Sequence, residues 1–190
     1  MVRVEFSPRA DPIEVTVTFL EMTRAPTHYP SLPLNQHVAL LQAHEMPLHF
    51  YRYLVDRVGR RWKWTKVLRL DDEALADELA EPGRDIRVLY LDGAPAGFFE
   101  IKPEQSNLAE LRYFGLMEHA IGRGLGRWFL GAAIAAAWQQ QPEKVIVQTC
   151  TLDHPAALSL YQKLGFVPVG QSRETMRPLS EAERAQVLAR

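Results

Sequence analysis

The sequence is short of several things at once. It has one cysteine, Cys150, in 190 residues, so no disulfide can close within the chain and no cysteine-rich metal cluster can be built. The reducing cytoplasm is therefore the expected compartment. An excess of either charge is missing too: 22 Lys+Arg meet 23 Asp+Glu, a formal −1. That balance argues against a general binder of nucleic acid or another polyanion. No long apolar run occurs either. The most apolar stretch, WFLGAAIAAAW from Trp128 to Trp138, is about half the roughly 20 residues that a membrane-spanning helix needs. It reads as a buried helix, with no membrane partner implied. The opening MVRVEFSPRADPIEV lacks the continuous apolar segment of a signal peptide.

What is present suffices for a folded domain. The chain is 47% hydrophobic and 9% aromatic, which excludes intrinsic disorder, and its length allows a core without covalent staples. One domain spanning 1–190 is expected.

Residues 13–22 (IEVTVTFLEM) alternate like a strand. Pro26, Pro30 and Pro33 then suggest a loop. Pro47 opens a helix on which Leu48, Tyr51, Leu54, Val55 and Val58 recur at helical spacing, with Gly59 at its end. A second helix fits 71–80, capped by Asp71 or Asp72. Beyond Pro82-Gly83, the runs 86–93 and 95–101 form a hairpin through Asp92-Gly93, a strong turn signal. A strand at 109–116, a helix at 127–139, a strand at 144–150 and a helix at 156–166 follow. A last strand is expected near 166–170, with a further one at 172–177. Ser180 with Glu183 signals a capped C-terminal helix over 180–190. The order predicts an α+β fold with helices on both faces of the sheet, not a regular βαβ alternation.

Gly122, Gly124 and Gly126 stand at alternate positions just before the 127–139 helix. Glycine permits positive φ and close approach to a ligand, and the free N–H groups of a helix's first turn favour an anion. Arg123 and Arg127 add cations. The sixth position of G-x-G-x-x-G is Arg127 or Phe129, and no Gly-Lys pair exists in the chain. Neither a dinucleotide fingerprint nor a P-loop is therefore present.

The segment VIVQTCTLDHPAALSLYQKLGF (145–166) resembles the strand–helix segment of the GNAT superfamily of acetyl-CoA-dependent N-acetyltransferases. That family's pattern is Asn-x-x-Ala-x-x-Leu-Tyr-x-x-x-Gly-Phe, and Ala157, Leu160, Tyr161, Gly165 and Phe166 fall in register. The upstream signature [RQ]-x-x-G-x-[GA] matches at Gly124 and Gly126, with Ile121 in place of the Arg or Gln and His154 in place of the Asn. The likeness covers about residues 85–170. It implies a central mixed, mostly antiparallel sheet, with residues 23–84 as helices and loops framing an acceptor site.

The resemblance further implies an acyltransferase that moves an acetyl group from acetyl-CoA directly to an amine, with no metal. Gly122, Arg123, Gly124, Leu125, Gly126 and Arg127 would hold the diphosphate. The strand near Gly115 and Leu116 would hold the pantetheine arm, and His154 would stand at the family's Asn position. Tyr161 resembles the family's general acid. Glu110 lies where some members carry a general base, and Glu100 on the neighbouring strand competes for that role. Strand alternation places Glu110, Arg112, Phe114 and Leu116 on one face unless a bulge intervenes. A non-catalytic acyl-CoA-binding or sensor domain on the same fold is the alternative. The acceptor, a small-molecule or peptide amine, is not legible, and the oligomeric state is open, with a homodimer one option.

Three further features were weighed. His44 and His49 are five apart with Pro47 between them, which does not make a zinc-protease box. The stretch RVGRRWKWTK (57–66) admits a solvated segment with packed tryptophans, an acceptor-pocket loop or, through its interleaved aromatics, a nucleic-acid surface. Cys150 reads as a small packing residue.

Overall fold

A computed structural model describes residues 10–190; most of the opening segment read for a signal peptide lies outside the described residues. Strand β1 (Ile13–Met22) is followed by β2 (Val38–Gln42), α1 (Leu48–Gly59) and α2 (Asp72–Leu79). Then come β3 (Asp85–Leu91), β4 (Ala94–Glu104), β5 (Leu108–Leu116), α3 (Leu125–Gln139), β6 (Lys144–Cys150), α4 (Ala157–Lys163), β7 (Val167–Met176) and α5 (Glu181–Leu188).

The seven strands form one sheet in the order β2-β3-β4-β5-β6-β1-β7. Every neighbouring pair is antiparallel except β5 and β6. A parallel pair needs a crossover of a dozen residues or more, and α3 supplies it. The α3 helix carries apolar residues nearly all round because it is buried against the sheet: Leu125, Phe129, Leu130, Ala133, Ile134 and Ala137 are all inaccessible or nearly so. At fifteen residues it is the longest described helix, and among the described residues no helix is long and apolar enough to cross a membrane. Together with residues of α4, α3 forms the core on one face of the sheet. On the other face α1, α2 and α5 pack over Ile86, Val88, Phe98 and Tyr113. The expected α+β sheet with helices on both faces is what is found.

Local expectations held where the chemistry is local. Asp92 (φ 51°) and Gly93 (φ 84°) both adopt the left-handed conformation of a two-residue hairpin turn. Asp71 caps α2 by accepting from Ala74 N–H, and Ser180 with Glu183 forms a reciprocal capping box on α5. The third helix starts at Leu125, two residues earlier than expected, because Gly124 in the left-handed region serves as its N-cap. The C-terminal strand is one continuous element, with a register shift against β1 between Phe19 and Leu20, in place of two strands. Gly59 ends α1 without a positive φ; the chain turns there as Trp62 and Trp64 N–H groups both donate to Gly59 C=O. The largest departure is β2. The segment 23–46 was expected to frame the acceptor site, but part of it pairs with β3 at the far edge of the sheet, too short and half-exposed to show a clear alternation.

The C-terminal helix is fastened by charge. Asp56 of α1, 1% exposed, accepts from Arg184 of α5 and from Arg60. Two guanidinium groups thus share one buried carboxylate. Removing a partner from a buried pair leaves an uncompensated charge, at a cost of about 3–5 kcal/mol. Asp56→Ala is expected to lose about that much stability at neutral pH in chemical denaturation, whereas a surface change such as Glu174→Ala stays within about 0.5 kcal/mol.

Candidate active site

The sheet opens in its middle. Strands β5 and β6 pair through Leu108↔Lys144, Ala109↔Val145, Glu110↔Ile146 and Leu111↔Val147, and the ladder stops there. On its other side β5 pairs with β4, but the register slips: Glu100 faces Tyr113 and Ile101 faces Leu111, leaving Arg112 as an extra residue. A bulge of this kind bends the strand and flips its following side chains. Ala109 and Leu111 belong to the α3-side core, and Phe114 and Leu116 pack against it, while Tyr113 turns to the α1 side. The expected alternation is therefore corrected. Glu110 faces away from Phe114 and Leu116, not with them.

Beyond Leu111 the β6-facing backbone of β5 has lost its ladder partner, and buried peptide groups need one. The gap is a cavity of about 590 Å³. Gly115 and Leu116 of β5, Gly122 to Arg127 around the glycine turn, and Ala157, Leu160 and Tyr161 of α4 line it, with Arg123 excepted. At the turn, Gly122 (φ 83°) and Gly124 (φ 77°) hold a conformation that side chains resist. It aims the first turn of α3 into the cavity, where the Leu125, Gly126 and Arg127 amides have no intrahelical acceptor. Arg127 and Lys163 add positive charge to the lining. Arg123 turns away, 3.6 Å from the Asp92 carboxylate.

Tyr161, 6% exposed, is wedged edge-on between Phe114 and Phe166. Burial, and then the negative Asp153, push its phenol well above the usual range, so it keeps its proton across physiological pH. His154 also lines the cavity. Its Nδ1 accepts the Ala156 N–H at 3.1 Å, which serves an early donor of α4, and its ring meets Trp62 edge-on.

The two candidate bases are now distinct. Glu100 is fully buried: it accepts from the Tyr51 hydroxyl and from Arg84, and Arg112 lies 3.7 Å away. It does not line the cavity. Glu110 is not in the lining either; it accepts from Gln148 Nε2 at 3.3 Å, and Gln148 does line the cavity. Burial, then nearby Glu104, raise the Glu110 carboxyl.

Asp153 escaped the sequence reading. It sits in the lining and accepts from Trp64 Nε1 (3.2 Å), Thr149 Oγ1 (2.8 Å) and Cys150 N–H (2.9 Å). The T-L-D-H-P sequence reads only as a turn, and its principal partner, Trp64, is far away in the chain. Trp62 and Trp64 both line the cavity, so the pocket-loop reading of 57–66 describes their position, while no residue of 23–46 is in the lining. Burial, then Asp153, push the Cys150 thiol up, which suits a packing residue and not a thiolate. Among the described residues no group of three or more His, Cys, Asp or Glu could hold a metal ion.

Comparison with known proteins places these features. The family model described as the acetyltransferase (GNAT) family matches residues 45–166. No curated protein matches the chain. Among solved structures, the chain is similar to a tandem GNAT protein from the clavulanic acid biosynthesis pathway (16% identity, TM-score 0.56, covering 89% of this chain and 55% of that one). It is similar as well to a GCN5-related N-acetyltransferase from Kribbella flavida (14%, TM-score 0.56, 86% and 58%). A third is an aminoglycoside acetyltransferase from an uncultured soil metagenomic sample (17%, TM-score 0.54, 67% and 86%). At these identities the likeness is one of fold, and the chain spans little more than half the length of the first two.

The glycine turn yields a paired expectation. Gly124→Ala forces a Cβ into positive φ and should cost about 1–2 kcal/mol. Gly126 has ordinary helical φ, and an added Cβ would stand 3.9 Å from Leu160. Gly126→Ala should therefore be neutral or stabilising by up to about 1 kcal/mol. Thermal denaturation of both variants checks the contrast; equal effects would mean that the turn is not held by backbone conformation.

Proposed function

The chain belongs to the acetyltransferase (GNAT) family, and we propose that it moves an acetyl group from acetyl-CoA directly to an amine. The observation that carries this reading is the parting of β5 and β6 after Leu111↔Val147, with the α3 N-terminus and Tyr161 facing the same gap.

The residues present fit the co-substrate. A diphosphate matches the free amides of Leu125, Gly126 and Arg127, with the Arg127 side chain as countercharge. The unpaired edge of β5 near Gly115 and Leu116 offers peptide groups to an amide-containing arm, and an N–H there can face a carbonyl oxygen that gains charge. Acetyl-CoA supplies the acetyl group as a thioester. In the net transfer a C–S bond breaks and a C–N bond forms; an acceptor that arrives as an ammonium gives up two protons, one leaving through a base and the other matched by the proton that the sulfur gains.

The protein's part is to place those two protons. An alkylammonium with a pKa near 10.4 is only about one part in 10³–10⁴ neutral at pH 7, so a base is useful. Glu110 is the proposed base: burial raises its proton affinity, and it stands behind Gln148, its hydrogen-bond partner in the cavity lining. Tyr161 Oη is the proposed acid. It retains its proton until a thiolate is beside it, and its rotamer is fixed by Phe114 and Phe166.

Calorimetry with acetyl-CoA, followed by thiol release on a panel of amines, tests the reading. Binding with thiol release supports it; binding without release would leave a non-catalytic acyl-CoA-binding domain; no binding removes it. Tyr161→Phe should lower kcat about ten- to a thousand-fold with acetyl-CoA affinity unchanged, and unchanged turnover would take Tyr161 out of the mechanism.

Glu110→Gln gives a two-sided expectation. With the folded carboxyl raised above its unfolded value, ionisation opposes folding as pH rises through the folded pKa. The variant should thus be as stable as the parent or more so at pH 8, while its pH–rate profile loses the acidic limb. That limb, in the parent, lies above the ordinary carboxylate range of about 4.3. A limb retained in Glu110→Gln would remove Glu110 from the role.

A further inference from the structure

The side of the cavity reached by the loop after α1 is walled by rings. Trp62, Trp64 and Tyr113 line it, with Trp64 and Tyr113 centroids 5.0 Å apart. Trp64 is rigidly seated. A Cβ on Gly59 would come 2.5 Å from Trp64 Cβ, and a Cβ on Gly115 would meet Val58 at 2.4 Å and the Trp64 ring at 3.4 Å. Neither glycine has a positive φ, so both serve to make room. The indole is then oriented by its hydrogen bond to Asp153 Oδ1.

The charges at this side do not cancel. All three donors to Asp153 are neutral, namely an indole N–H, a hydroxyl and a peptide N–H. No cation is paired with it among the described residues. Arg112, also in the lining, is neutralised by Glu78 at 3.0 Å and Glu100 at 3.7 Å, and Arg61, whose guanidinium stands 5.6 Å from the Trp62 ring centroid, is paired with Glu118 at 3.2 Å. An aromatic frame in which Asp153 is the one carboxylate of the lining, with no cation paired to it, suits a single organic cation.

We propose that this side receives the acceptor as a lone ammonium on an apolar body, an alkyl- or arylalkyl-amine without a further charge. Trp62 and Trp64 are the specificity-determining walls, and Asp153 is the countercharge. The inference rests on the acetyl-transfer reading and names the substrate class for it. A polycation finds one carboxylate for several charges. An amino acid brings its own carboxylate to a place where Asp153 repels it and Arg112 is already paired.

The test is binding first and turnover second. With coenzyme A at saturation, 2-phenylethylamine, spermidine, kanamycin and phenylalanine are titrated by calorimetry at pH 7. 2-Phenylethylamine is expected to bind at least ten-fold tighter than each of the others. Trp62→Ala should weaken it about three- to thirty-fold, the range for a cation over an indole. Asp153→Asn removes the charge and sets an NH2 against the Cys150 N–H that Oδ2 accepts; it should weaken 2-phenylethylamine ten-fold or more, with an unchanged affinity for coenzyme A showing that the cavity is intact. Tighter binding of spermidine, kanamycin or phenylalanine, no binding of any amine, or unchanged affinity in both variants overturns the proposal. Thiol release separates the two readings. An amine that binds as expected but is never acetylated sinks the transfer reaction alone, whereas rapid acetylation with a polycation preferred sinks the substrate class alone.

Discussion

Everything at the candidate site depends on the sheet failing to stay paired at one place. A parallel ladder between β5 and β6 would bury every peptide group in the middle of the sheet and leave no room for a ligand. The extra residue at Arg112 ends that ladder after four pairs. It also turns Tyr113 toward the α1 face and Phe114 toward the α3 face, which gives the opening two chemically different sides. The first is lined by tryptophans and a carboxylate, the second by glycine-turn amides and Tyr161. Beside the split, Trp64 from the loop after α1 is tied to Asp153, which in turn gathers Thr149 and the Cys150 amide at the end of β6.

Among the described residues, two buried charge clusters lie apart from each other. One, around Glu100, joins Tyr51, Arg84 and Arg112 behind the bulge. The other, around Asp56, joins Arg60 and Arg184 and locks the last helix to the first. Buried ionic groups of this kind are poor sources of net stability. Here they fix geometry. The guanidinium of the bulge residue is held by Glu78 and Glu100, and the bulge faces the cavity. Glu100, which strand position alone made a competitor for proton transfer, is committed to this framework.

The sequence was most informative where a few adjacent residues decide the outcome. Asp92-Gly93, the Ser180–Glu183 box, the glycine turn and the run from Ala157 to Phe166 each carry their chemistry within a dozen residues or fewer, and each was legible. The bulge was not, because period-two alternation runs unbroken through Glu110, Arg112 and Phe114, and only the pairing with β4 shows which residue is extra. The β2 strand was hidden by its proline-rich approach and its half-exposed edge position. Asp153 was missed because its main partner is 89 residues away. Gly59 was read as a helix stop, which it is, but that its lack of a side chain also admits Trp64 shows only in the packing.

The place of β1 in the sheet has a consequence for how the chain is made. The first of the described strands, β1 lies between β6 and β7, and the earliest-synthesised of its ladder partners is Val145, which pairs with Met22. At ribosomal rates of about 5–20 residues per second, its strand edges stay unpaired for on the order of ten seconds during translation. Non-local pairing of this kind is slow to nucleate. The nascent N-terminal half is thus a natural client for chaperones until the β6 segment emerges.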